Sequence, residues 1–460
     1  MILQRTLARF VRGLTLRSRA TSAVGLVAIS VSALALQSGT ATGKERGPAA
    51  AVTPSFTCDL GSALGTPGTR VLPSGQLPTH ITIMGTRYWD LTYTLAGIGQ
   101  TGVPLVAVNG AILGPSGGLD DVGSYFLIPK FSALFGLPLP RAIDLFYDTL
   151  LVFGFLAGAV GFLVLYEKPL TRSVALVGLF ALTVLAYHVG DVYVFFFLTA
   201  VIATPWTLVL MRSPEGSLMA VFLAMLGVLL GTANAVRGHA GTAALLFSCL
   251  LIFFQVSART TRKLILFLCL LGGMVVPKLF FAREVARRDA FLSTQCPGYG
   301  TLSAQHPMWH VVFLGFGYLQ NDYGISWSDG AAYQKVQSIA PGTTYGSVRY
   351  EQILRREVLQ LVRQHPWFVF LTVTSKLGVV LALVALGINI GALAAISTPK
   401  PWAVELSFWT AILFSGLFAL LAIPAPAYLL GLISFAVLYG IVSAGFFWES
   451  RCGERVSRAT

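Results

Sequence analysis

The chain is divided into apolar runs of the length that a lipid bilayer demands. A spanning helix needs roughly 20 mostly apolar residues. Ten segments fit: 21–38, 146–166, 173–189, 192–211, 217–236, 242–257, 264–282, 367–396, 403–423 and 427–447. With 55% hydrophobic and 11% charged residues among 460, the apolar side chains outnumber what one soluble core can hide. The expected fold is therefore an all-α polytopic membrane protein with about ten transmembrane helices.

A formal charge of +13 raises nucleic acid as a partner, but the basic residues are spread through short loops rather than gathered on one face, which argues against it. They report orientation instead, because Lys and Arg favour cytoplasmic loops. An inside N-terminus puts Arg5, Arg9, Arg12, Arg17, Arg19, Lys168, Arg172, Arg212, Arg259, Arg262, Lys263, Lys400, Arg451, Arg455 and Arg458 on the cytoplasmic side and leaves only Arg237 in the short outer loops. Both termini are then cytoplasmic and the chain is integral to the plasma (inner) membrane. It divides into a basic N-terminus (1–20), a first helix (21–38), a first outer loop (39–145), helices two to seven (146–282), a second outer loop (283–366), helices eight to ten (367–447) and a tail (448–460). Segment 21–38, with basic residues before it and Ala33-Leu34-Ala35 at its end, also fits a cleaved secretory signal; either way the next segment reaches the outer side.

Gly, Pro, Ser and Thr dominate 37–80, which reads as poorly ordered. Apolar residues then return with helical spacing from Tyr125 to Leu137, as a helix lying on the membrane surface requires. The second loop repeats the pattern at 283–292 and at 350–364, where Ile353, Leu354, Val358, Leu361 and Val362 share a face and His365-Pro366 ends the helix. Cys58 and Cys296 fall one in each outer loop, in the compartment where disulfides persist. A bridge would tie the loops together, and two unpaired thiols are the alternative. Cys249, Cys269 and Cys452 read as small apolar residues. The five cysteines show no CxxC and no metal-ligand spacing,. No internal repeat is evident, which weakens transporter readings built on duplicated halves.

Ionisable groups in a membrane domain are costly and mark sites. Here they gather at the outer ends of helices: Asp144, Asp148, His188, Asp191, Arg237, His239, Lys278 and Lys376, the last about 14 Å into its helix. Snorkelling to the headgroups is the plainer reading for Asp144 and Asp148 and competes evenly with function for Lys278. Asp120 and Asp121 follow Gly117-Gly118-Leu119 and precede the first surface helix. Adjacent carboxylates suit acid/base work or a shared cation, and an ordinary helix N-cap explains them equally. The second loop interleaves His306, Trp309, His310, Asn321, Asp322, Trp327 and Asp329 with other aromatics. Sugars present apolar faces to aromatics and hydroxyl edges to Asp, Asn and His, so this mixture suits a carbohydrate site; an interfacial aromatic belt is the plainer reading. His306 and His310 have metal-like spacing but no evident third ligand.

This layout resembles the GT-C class of membrane glycosyltransferases, in which the first outer loop carries a catalytic acidic residue beside surface helices and a second large outer loop follows helix seven. The resemblance is carried by Asp120-Asp121 ahead of Tyr125–Leu137 and by 283–366 after the seventh helix; the lead of about 80 residues before the acidic pair departs from it. It implies sugar transfer from a polyprenyl-phosphate donor to a glycan, lipid or protein acceptor. Asp120 or Asp121 would be the general base, while Arg237, His239, Lys278 and Lys376, or a divalent cation, would hold the donor phosphate. An O-antigen ligase or polymerase, a transporter and an envelope assembly protein are the competing readings.

Overall fold

The computed structural model describes residues 57–58, 78, 85–108, 111–116, 120–211, 217–256, 258–296, 299 and 307–459; the first apolar run, 21–38, lies outside them. The described chain is nearly all helix. Ahead of the bundle come β1 (Thr57–Cys58), α1 (Gly85–Thr101), β2 (Leu105–Val108), β3 (Ala111–Pro115) and α2 (Gly123–Phe135). The bundle is formed by α3 (Leu139–Leu165), α4 (Pro169–Val189), α5 (Val194–Met211), α6 (Ser217–Val236), α7 (Thr242–Phe254) and α8 (Thr260–Gln295). A layer of α9 (Met308–Gly315), α10 (Asp329–Ile339) and α11 (Val348–Gln364) follows, and α12 (Pro366–Ser397), α13 (Trp402–Leu421) and α14 (Pro426–Ala459) complete the bundle.

Eight of the described helices are long and apolar enough to cross a membrane, so this is a multi-pass membrane protein. The exception within the bundle is α7, whose 13 residues span about 20 Å,. Among the sequence expectations, α3 begins at Leu139 rather than at 146, taking in residues first read as loop.

Small residues set the packing, because lipid gives helices no hydrophobic reason to associate and close backbone approach supplies the contact instead. Three Gly-x-x-x-Gly stretches do this. Gly154 and Gly158 on α3 face Leu198 and Val201 on α5, Gly227 and Gly231 on α6 face Leu270 and Met274 on α8, and Gly387 and Gly391 on α12 face Ala436 and Gly440 on α14. Residue numbers rise together on both sides of each contact, so each pair runs parallel with one return helix between. By this geometry α7, short as it is, carries the chain back between α6 and α8.

The two long segments outside the bundle meet at one end of it. A disulfide joins Cys58 on β1 to Cys296 at the end of α8, with Cα atoms 5.5 Å apart. β1 pairs parallel with β3, and β3 antiparallel with β2; Leu105, Ala107 and Ile112 of this small sheet pack against Leu292 and Cys296. The all-α expectation omitted these strands. Their trace in the sequence is the β-rich run Leu105–Val108, then Asn109-Gly110, a favoured hairpin turn pair, then Ala111-Ile112-Leu113.

The two segments expected as surface helices at 125–137 and 283–292 both pack against protein. α2 turns its apolar face to protein: Tyr125, Phe126 and Ile128 are buried in the bundle core, and Leu134 and Phe135 at its far end are exposed. Gly123 permits this, since a β-carbon there would lie 2.6 Å from the Ala235 carbonyl oxygen. Residues 283–292 are no separate helix but the continuation of α8, whose 36 residues reach about 54 Å, well beyond a hydrocarbon core of roughly 30 Å,. Arg288 on this extension is buried, pairs with Asp289 at 2.8 Å and donates to the Ser116 carbonyl at 3.3 Å, fixing the end of the sheet. α11 is amphipathic as read, with the Ser347 hydroxyl accepting from the Tyr350 N–H at 3.2 Å as its N-cap,. Its Ile353, Leu354, Val358 and Leu361 bury against α9 and α10 rather than lipid, and Val362 is exposed.

The glycine contacts yield a direct test. Replacing Gly391 by Leu forces a side chain into the Gly440 backbone and should cost about 1–3 kcal/mol,. Thermal unfolding of the detergent-purified protein should show an earlier transition than for Gly378→Leu, where the added side chain meets open space.

Candidate functional site

The site forms where first-loop residues reach the end of the bundle. Asp191 opens the short turn between α4 and α5 with φ 54°, in the left-handed region, where aspartate is among the few tolerated side chains,. That turn aims a buried carboxylate inward: one oxygen accepts from the Val192 N–H at 2.7 Å and from the Tyr147 hydroxyl at 3.4 Å, and the other pairs with the Arg87 guanidinium. Arg87, on the first turn of α1, reaches Asp120 with its second terminal nitrogen at 2.7 Å. The other oxygen of Asp120 takes Arg237 Nη1 at 3.1 Å. Next to it, Asp121 accepts the Gly238 N–H at 2.5 Å. Asp191, Arg87, Asp120 and Arg237 thus form one alternating chain of charge.

Aromatic rings wall it. The Arg237 guanidinium lies 5.2 Å from the Tyr193 ring centre and 5.8 Å from that of Tyr428, a cation–π arrangement. Trp327, from the second loop, meets Tyr428 edge-on at 5.9 Å. Both large loops therefore border the site.

Exposure divides the roles. The Arg87 and Asp191 side chains are 3% and 2% exposed, Asp120 is 29% exposed and Arg237 16%. Burial pulls the Arg87 pKa down, but Asp191 and Asp120 outweigh it and hold the group well above its ordinary value,. Burial likewise works against Arg237, and Tyr193 and Asp120 reverse it to a net upward shift. Burial raises the Tyr125 phenol well above its ordinary value, and Asp120 adds to this. Both guanidiniums stay charged and Tyr125 stays neutral across the physiological range, with Asp120 the outward member of the chain.

The other candidates go elsewhere. Lys376 is buried and donates to the Leu420 and Ala422 carbonyls at 3.0 and 2.5 Å, placing its charge on the C-terminal end of α13, directly beneath Gly315,. Lys278 is exposed on a face of α8 shared with exposed Val275, Val276 and Leu279. His239, also in the left-handed region at φ 72°, stacks on Phe418 at 4.5 Å and stands beside Arg237 in the α6–α7 turn. In the second loop His310 is buried, with Nδ1 2.9 Å from the Tyr350 hydroxyl and Nε2 3.1 Å from Asp329. Glu351 accepts the Trp309 and His310 N–H groups at 3.0 Å each, and Arg355 lies over Trp309. These residues tie α9 to α10 and α11. Asn321 folds a turn, donating to the Leu319 and Ile325 carbonyls and accepting from the Tyr323 and Ile325 N–H groups, and Asp322 is exposed. His306 and Gly117-Gly118-Leu119 lie outside the described residues. No group of three or more His, Cys, Asp or Glu positioned for a metal occurs among the described residues.

Sequence reasoning missed Arg87 altogether and left Asp191 outside the site. The signal for Arg87 was a lone cation at the start of Arg87-Tyr88-Trp89-Asp90-Leu91-Thr92-Tyr93, with no other basic residue up to Lys130. No protein-family model, no curated protein and no solved structure matches the chain.

Removing Arg87 takes the paired cation from buried Asp191 and one of two guanidiniums from Asp120. Arg87→Ala should destabilise the protein by about 3–5 kcal/mol, while the paired change Arg87→Leu with Asp191→Leu should recover much of that loss. Melting of the purified variants in detergent reads both; equal melting of Arg87→Ala and the native chain would remove the buried pair from the account.

Proposed function

We propose that the protein is a GT-C-type membrane glycosyltransferase, moving a sugar from a polyprenyl-phosphate donor to an acceptor hydroxyl on the extracytoplasmic face. The observation that supports this reading is Asp120: a partly exposed carboxylate set between two guanidiniums at the end of the bundle where the two large loops join. The ten-span topology with cytoplasmic termini, followed from the distribution of Lys and Arg, puts that end of the bundle outside.

The chemistry asks for two things. A base takes the proton from the acceptor hydroxyl as its oxygen bonds to the anomeric carbon, and positive charge receives the phosphate as the old carbon–oxygen bond breaks. Asp120 supplies the first and Arg237 the second. A guanidinium carries five N–H donors, so holding Asp120 does not exhaust Arg237, and His239 stands one turn residue away. Lys376 and Lys278 are replaced in this role, the one by its helix-end carbonyls and the other by its lipid-facing position. Trp327 offers the aromatic face against which a sugar ring stacks. His310 and Asp329 then support the second loop rather than touch the sugar.

Purified protein incubated with polyprenyl-phosphate sugars should consume donor, and Asp120→Asn should slow turnover by about 10²–10⁴-fold. Turnover unchanged in Asp120→Asn would remove the base assignment, and no consumption of any lipid-linked sugar would remove the enzyme reading. The topology has its own check: Gly330→Cys should react with a membrane-impermeant maleimide added to intact cells, and protection until lysis would invert the orientation.

A further inference from the structure

The apolar face of α11 is spent on α9 and α10, which leaves its opposite face to be explained. Arg349, Arg356 and Arg363 are all exposed and spaced seven apart, nearly two full turns, so they form one stripe about 21 Å long,. Beside that stripe runs a second one, made by exposed Val348, Leu359 and Val362, with Arg355 adjoining it. Neither carboxylate of α11 balances these charges: Glu351 is turned inward onto α9, and Glu357 pairs with Lys335 at 3.0 Å.

We infer that this face of α11 binds the headgroups of anionic phospholipids, with the Val348–Leu359–Val362 stripe entering the acyl boundary and the arginine stripe lying at phosphate level. Side-by-side apolar and basic stripes running the length of a helix suit one that lies along a membrane surface. A polyanion in water would need the arginines and have no use for exposed Leu and Val. Continuity with the bilayer points the same way. α11 ends at His365, and α12 starts at Pro366 with strongly exposed Trp367 and Phe370, the aromatic residues favoured at the interface,. The inference stands apart from the catalytic proposal, since none of these residues touches the Asp120 chain.

The test uses the full-length protein purified in detergent, with phosphatidylglycerol or phosphatidylcholine titrated in and bound lipid counted by native mass spectrometry. The native chain should prefer phosphatidylglycerol. Changing Arg349, Arg356 and Arg363 together to Gln should weaken that binding about five-fold per arginine, roughly a hundred-fold in all. The triple Lys variant keeps the charge and should keep the preference, which separates charge recognition from a folding defect. Equal phosphatidylglycerol binding by the Gln variant and the native chain would overturn the inference. So would inorganic polyphosphate binding the native chain through these arginines with phosphatidylglycerol unable to displace it, because the stripe would then be a dock for soluble polyanions.

Discussion

A buried guanidinium cannot be left alone, and Arg87 is the point on which the architecture of this site turns. An isolated charge at 3% exposure would carry a desolvation penalty of several kcal/mol,. The fold meets it with two carboxylates drawn from distant parts of the chain, Asp120 ahead of α2 and Asp191 at the α4–α5 turn. Satisfying one cation therefore fixes three segments at once, and Arg237 adds a fourth through Asp120. The left-handed backbone at Asp191 belongs to the same requirement, since an ordinary helical continuation would not present that carboxylate inward.

The bundle supplies the frame that makes this convergence possible. Parallel helix pairs seated on Gly-x-x-x-Gly surfaces bring backbones closer than larger side chains permit, and at one end of the bundle the α4–α5 turn, the end of α6 and the start of α14 meet through Tyr193, Arg237 and Tyr428. α8 then extends past the others and offers the small sheet and Cys58 a wall outside the bundle. Gly123, pressed against Ala235, brings the start of α2 to the end of α6, and with it Asp120 and Asp121 to Arg237 and Gly238.

Most of the bundle was legible because bilayer thickness and backbone satisfaction leave so few options: an apolar run of the right length must be a helix. The loops were less so. α2 carries the periodicity of a surface helix, yet periodicity says only that one face is apolar, not whether protein or lipid covers it; α11 makes the same point from the other side. Of the site, Asp120 and Arg237 were readable from depth and side. Arg87 was not, because a single arginine in a soluble-looking segment gives no sign that it will be buried. Lys376 looked like a ligand-binding cation because it lies deep in an apolar helix, and the partner that explains it, the carbonyl end of α13, is a backbone group that no side-chain pattern announces.

The bond between Cys58 and Cys296 encloses most of the early bundle in a covalent ring, 238 positions apart in the chain. It cannot close until the ribosome has made α8 and Cys296 has emerged on the same face as its partner. Asp120 meets Arg87, Asp191 and Arg237 entirely within the part of the chain made before that moment. All four members of the charge chain lie inside that ring, so a single bond closes over every segment that supplies one.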